Sequence, residues 1–83
     1  MYQDVYKCIT NLIVDLCDIE ENEINYKSKF DQFNFESLDF IELQVVVKRN
    51  FGVPISVDLF VNGLVKDVDE LCNYICKQSE AIG

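Results

Sequence analysis

The sequence predicts an all-α fold: a small four-helix bundle of three main helices and one short one, with a long loop after the first. Three observations carry that prediction. Apolar residues return every three or four positions in three separate stretches, the period of a helix buried along one side. No stretch shows the two-residue alternation of a half-buried strand. The chain has 83 residues, 49% of them hydrophobic, which is enough for the modest core of one domain, taken as residues 1–83.

The first helix is expected from Tyr2 to about Cys17. Val5, Cys8, Ile9, Leu12, Ile13 and Leu16 form its apolar stripe, with Asp4, Lys7, Asn11 and Asp15 mostly on the other side. Burying each large aliphatic contributes ~1.5–3 kcal/mol before entropy is subtracted. From Asp18 to about Glu36 the period breaks. Ile19, Ile24, Phe30, Phe33 and Phe35 are irregularly spaced, as in a loop pinned to a core by single side chains. Asp18, Glu20, Glu21 and Glu23 lack the alternating ligands and glycine of a calcium loop, so this stretch reads as a solvated acidic loop.

The second helix is expected from Ser37 to Asn50. Leu38, Ile41, Val45 and Lys48 share one side, while Leu43, Val46 and Val47 extend the apolar surface. Asp39 and Glu42 in its first half, and Lys48 and Arg49 in its last turn, complement the helix dipole. Glu36, at the cap position, is not among the favoured caps, so Asn34 caps in its place or the start is looser. Three consecutive valines lower its intrinsic propensity, so packing must support it. Gly52 and Pro54 mark its end. Ser56 is read as the cap of a single helical turn reaching Phe60 or Val61 and ended by Asn62-Gly63. The last helix opens at Asp67, with Glu70 at capping-box spacing, and buries Val68, Leu71, Cys72 and Ile75. Fraying is expected from about Ser79.

Composition narrows the chemistry. The net charge is −8, from fifteen acids against seven bases. That argues against nucleic acid and anionic membranes as partners and favours basic protein surfaces. The N-terminus lacks the pattern of a signal peptide, and no apolar run is long enough to span a bilayer. The expected compartment is the cytoplasm. Cys8, Cys17, Cys72 and Cys76 then read as thiols in or near the core, in preference to a zinc site. Histidine is absent. The commonest general base is therefore missing, and a Ser-His-Asp arrangement is excluded.

The stretch Phe35-Glu36-Ser37-Leu38-Asp39-Phe40-Ile41-Glu42-Leu43 places a serine among acids at a helix start. Taken alone, Ser37 is an ordinary helix-start serine, and Asp39 and Glu42 are a solvated face. Ile41 and Val45 suit core packing or partner contact equally. Together with the helix order, Phe51-Gly52-Val53-Pro54 and the segment Val68 to Ile75, this stretch resembles the acyl carrier protein family over nearly the whole chain. That family carries Asp-Ser-Leu at the start of its second helix.

The resemblance implies that Ser37 is the attachment site of a covalent 4′-phosphopantetheine arm derived from coenzyme A. It implies a carrier rather than an enzyme, presenting acyl or aminoacyl thioesters in fatty-acid-like, polyketide or mixed polyketide/nonribosomal biosynthesis. Glu36, Leu38, Asp39, Ile41, Glu42 and Val45 are the implied docking residues. The implied partners are a phosphopantetheinyl transferase, an acyl- or aminoacyl-loading enzyme, and downstream synthases or transferases with basic docking patches. A discrete monomer with no metal is expected. The alternative is an acidic helical interaction module that is never modified. This sequence departs from the family in having Glu36 where Asp is usual, Asn34-Phe35 where peptidyl carriers have Gly-Gly, and Lys48-Arg49 where fatty-acid carriers have acids.

Overall fold

A computed structural model describes residues 1–82, with side chains described through Glu80. Four α-helices follow one another: α1 (Tyr2–Cys17), α2 (Ser37–Phe51), α3 (Asp58–Val61) and α4 (Val68–Ile82). No strand occurs among the described residues; one isolated bridge joins Lys29 to Asp67. The expected all-α bundle of three long helices and one short one is what forms.

The stripes read from the sequence make the core. α1 contributes Val5, Ile9 and Ile13, and packs chiefly on α4, which contributes Val68, Leu71, Cys72 and Ile75. Leu43 and Val47 of α2 close the third side, so packing supports the valine-rich segment. Val53, Ile55, Leu59 and Val65 seal the end where α3 lies. Cys72 is a core thiol; Cys8, Cys17 and Cys76 are half-buried, and all four are unpaired.

Three local expectations need correction. The long connection is not structureless: it holds two 3₁₀ turns, Glu21–Glu23 and Phe30–Phe33. Its side chains cap its own backbone. Glu20 N–H donates to Glu23 Oε2 (2.7 Å), Asn25 N–H to Ser28 Oγ (2.9 Å) and Lys29 N–H to Gln32 Oε1 (2.7 Å). Next, α3 starts at Asp58 rather than at a Ser56 cap. Ser56 supplies its carbonyl to Leu59 N–H at 3.2 Å, and no side chain caps this helix. The Asn62-Gly63 stop is as expected, with Gly63 at φ 75°. Finally, α4 runs on to Ile82 instead of fraying from Ser79, because Gln78 and Ser79 are still half-buried and no Gly or Pro interrupts it.

The loop and α4 complete each other. The carbonyls of Tyr26 and Ser28 accept from Asp69 N–H (2.9 Å) and Val68 N–H (3.0 Å), and Phe30 N–H donates to the Lys66 carbonyl (3.0 Å). Backbone donors that a helix start leaves unpaired are thereby satisfied by a segment forty residues away. The predicted Asp67 cap is present, with Glu70 N–H donating to Asp67 Oδ1 at 2.8 Å. The return bond shifts by one residue: Glu70 Oε1 accepts from Lys66 N–H at 2.9 Å.

Candidate functional site

The site is built at the junction of the long loop and α2. Asn34 ends the second 3₁₀ turn in the left-handed region (φ 52°), which Asn tolerates better than most residues. The chain then turns extended at Glu36, and α2 begins at Ser37. Glu36, not Asn34, is therefore the cap residue. Asp39 supplies one half of a capping box: Glu36 N–H donates to Asp39 Oδ2 at 2.9 Å, while the Glu36 side chain makes no cap bond. Asp39 N–H meets the Glu36 carbonyl at 3.0 Å. A glutamate, poor as a cap by type, is accommodated because the residue three positions on supplies an acceptor.

Behind this turn, phenylalanines hold the loop. Phe30 is buried and meets Phe33, Phe35 and Phe60 edge-on at centroid distances of 6.0, 5.8 and 5.0 Å. Phe40 of α2 joins through Phe35 (5.2 Å) and Phe60 (5.0 Å). The first turn of α2 is thus packed against both the long loop and α3. The loop-anchor reading of Phe30, Phe33 and Phe35 holds.

Ser37 is exposed at the first turn of α2, on the lip of a groove of about 350 Å³ between α2 and the start of α3. Phe35, Phe40, Ile41, Gln44 and Val57 line the groove with it. On the outer face of α2, Leu38 is 74% exposed, Ile41 52% and Val45 43%. The rotation of α2, open in the sequence, is settled by the opposite face: Leu43 and Val47 are buried, which turns the other three outward. Glu36 and Glu42 are exposed, whereas Asp39 is half-buried and engaged in the cap. The structure adds residues that sequence reasoning did not single out. Val57, Val61 and Leu64 are exposed around α3, and Gln44 lines the groove. A four-residue helix is too short for a period to reveal its faces.

The chain can therefore offer a hydroxyl at an exposed helix start, bordered by acids and an apolar strip, with no imidazole to activate it. Such a serine suits modification by another protein. Comparison with known families agrees: residues 8–75 match the family described as "Phosphopantetheine attachment site". The chain belongs to that family. A curated relative named "Acyl carrier protein", from Picosynechococcus sp., is 29% identical over 82 residues, covering 98% of this chain and 99% of that protein. The acyl-carrier resemblance read from Ser37-Leu38 and the helix order is thus upheld, and with it a carrier protein bearing a covalent 4′-phosphopantetheine group. The carrier's exposed serine, held on a preformed turn beside an open groove, fits such a group sterically. Among the described residues, no helix is long and apolar enough to cross a membrane.

Proposed function

We propose that Ser37 carries the 4′-phosphopantetheine arm, and that residues 1–83 act as one non-enzymatic carrier domain. The observation that carries this reading is the placement of Ser37: exposed, first in α2, on a turn fixed by the Glu36–Asp39 box and the phenylalanine cluster. A separate Mg²⁺-dependent transferase supplies the chemistry. The Ser37 hydroxyl attacks the pyrophosphate of coenzyme A, forming a phosphodiester and releasing the nucleotide part. The arm, when bound, supplies a thiol on which cargo travels as a thioester. The chain itself orients and docks: tethering raises the local concentration of cargo at a partner's active site, while exposed charge gives fast, salt-sensitive encounter.

Glu36, Leu38, Ile41, Glu42 and Val45 form the docking face in this reading, with Asp39 shared between docking and the cap. The partners are the phosphopantetheinyl transferase, an acyl- or aminoacyl-loading enzyme, and synthases or transferases with basic patches beside their active-site entrances. The pathway is fatty-acid-like, polyketide or mixed polyketide/nonribosomal synthesis. Four unpaired thiols suit the reducing cytoplasm.

The test is intact mass after incubation with coenzyme A, Mg²⁺ and a broad-specificity phosphopantetheinyl transferase. The wild-type chain is expected to gain one arm and Ser37→Ala none. An arm that persists on Ser37→Ala removes Ser37 as the site. No gain on either, beside a control carrier that is modified, favours the unmodified interaction module.

A further inference from the structure

We propose that the docking face of α2 is bipolar, and that it selects partners whose surface is basic beside the active-site entrance and acidic about 10 Å further along the docked helix. This rests on the carrier reading above and names the partner chemistry it requires.

The outer face of α2 has a definite order. Glu36 caps the helix beside Ser37, Leu38, Ile41 and Val45 run down the middle of the face with Glu42 alongside them, and Lys48 and Arg49 end it. At ~100° per residue, Lys48 and Arg49 fall one turn beyond Val45, on either side of it. Both are exposed. Neither has an acid three or four residues away on its own helix, since positions 44, 45 and 46 are Gln, Val and Val and positions 51 to 53 are Phe, Gly and Val. The chain has fifteen acids and only seven bases, yet two of those bases lie together at the end of the apolar strip.

Dipole complementation at the helix end accounts for one or two cations in the last turn. It does not account for their position astride the exposed strip. Glu42, the acid of this face nearest the cation pair, stands six or seven residues from it, or ~9–10 Å along the axis, and Glu36 lies further off. That exceeds the ~8 Å screening length at physiological ionic strength, so a partner senses two patches and not an average. A surface basic along its whole length would place like charge against Lys48 and Arg49, which disfavours that partner. A second copy of the chain presents complementary ends, but two bodies of charge −8 repel each other. The occupant is therefore a different protein with the opposite bipolar pattern.

The experiment begins with the arm-bearing wild type and Lys48→Glu/Arg49→Glu, both loaded by the transferase and checked for equal helicity. Malonyl transfer is then measured from malonyl-coenzyme A by a malonyltransferase whose carrier-binding face is basic throughout. The arm thiol takes the malonyl group and coenzyme A leaves. The reversal is expected to raise kcat/KM about tenfold at low salt, with the gain shrinking as salt rises. The neutral pair Lys48→Gln/Arg49→Gln is expected to fall between, and it serves if the reversed helix end does not fold. A change under twofold for both variants overturns the inference while leaving the carrier reading intact. So does a dimer of the wild type in analytical ultracentrifugation that the reversal abolishes, because the face would then serve self-association. Failure of Ser37 to accept the arm is a separate outcome, and it removes the carrier reading together with this inference.

Discussion

Asp39 shows why a residue type does not fix a role. Its carboxylate holds the Glu36 N–H at 2.9 Å, so removing it is expected to loosen the turn that presents Ser37. Asp39→Ala should cost about 0.5–2 kcal/mol in urea unfolding, in the range of other lost caps. Asp39→Asn keeps an acceptor and should cost less, while losing the charge that the proposed docking role requires. Comparing the two variants in unfolding and in arm transfer separates the cap from the docking role. Tyr2 makes a different residue-scale case. Its hydroxyl donates to Asp69, and burial, then that bond, push its phenol above the ordinary tyrosine range. Near neutral pH the phenol is protonated in both folded and unfolded chains. Above about pH 10 the unfolded chain loses that proton first, so stability should fall as pH rises. Tyr2→Phe is expected to flatten that alkaline decline in a series of urea midpoints, while lowering stability near neutrality by about 1 kcal/mol. Cys72, fully buried with its thiol pushed up to about 12 by burial and then by nearby Cys76, should resist alkylation in the native protein at neutral pH. Peptide mapping after brief iodoacetamide treatment checks this, with the unfolded chain as reference.

At the scale of elements, the main helices were legible because their apolar residues repeat at the helical period. The caps were only half legible. Glu23, Ser28, Gln32 and Asp39 each accept from the backbone N–H of the residue three before. Sequence rules for caps weigh the first residue, and Glu20, Lys29 and Glu36 are poor caps by type. The donor, however, is a backbone N–H that every residue but proline carries. The turns were therefore hidden in a stretch without hydrophobic period. The stop of α2 was legible, since Gly52 takes φ 69° and its N–H donates to the Lys48 carbonyl at 2.9 Å. A Cβ added there meets nothing within 4 Å, so Gly52→Ala isolates the backbone cost of the left-handed conformation. A loss of about 1–2 kcal/mol is expected in thermal or urea unfolding, without loss of arm transfer.

At the scale of the whole molecule, charge and core oppose each other. A net charge of −8 on 83 residues repels itself. Added salt should raise the melting temperature at neutral pH while slowing partner association, and calorimetry beside stopped-flow kinetics would show both. The core has little reserve. Leu71 is fully buried on α4, and Leu71→Ala should cost about 2–5 kcal/mol. Against a typical total of about 5–15 kcal/mol, that is enough to shift the population visibly in urea titration.

From the sequence alone come the helices of the bundle, the serine at the start of α2 and the lack of any histidine beside it. These follow from local period, from residue chemistry and from plain absence. Only the tertiary structure decided which way α2 faces. Leu38, Ile41 and Val45 are as apolar as Leu43 and Val47, so no local rule tells them apart. Packing into the core, against α1 among others, buries one set and leaves the other in water beside Ser37. The long loop follows the same logic, because its order depends on phenylalanine contacts and on α4 backbone groups remote in the chain.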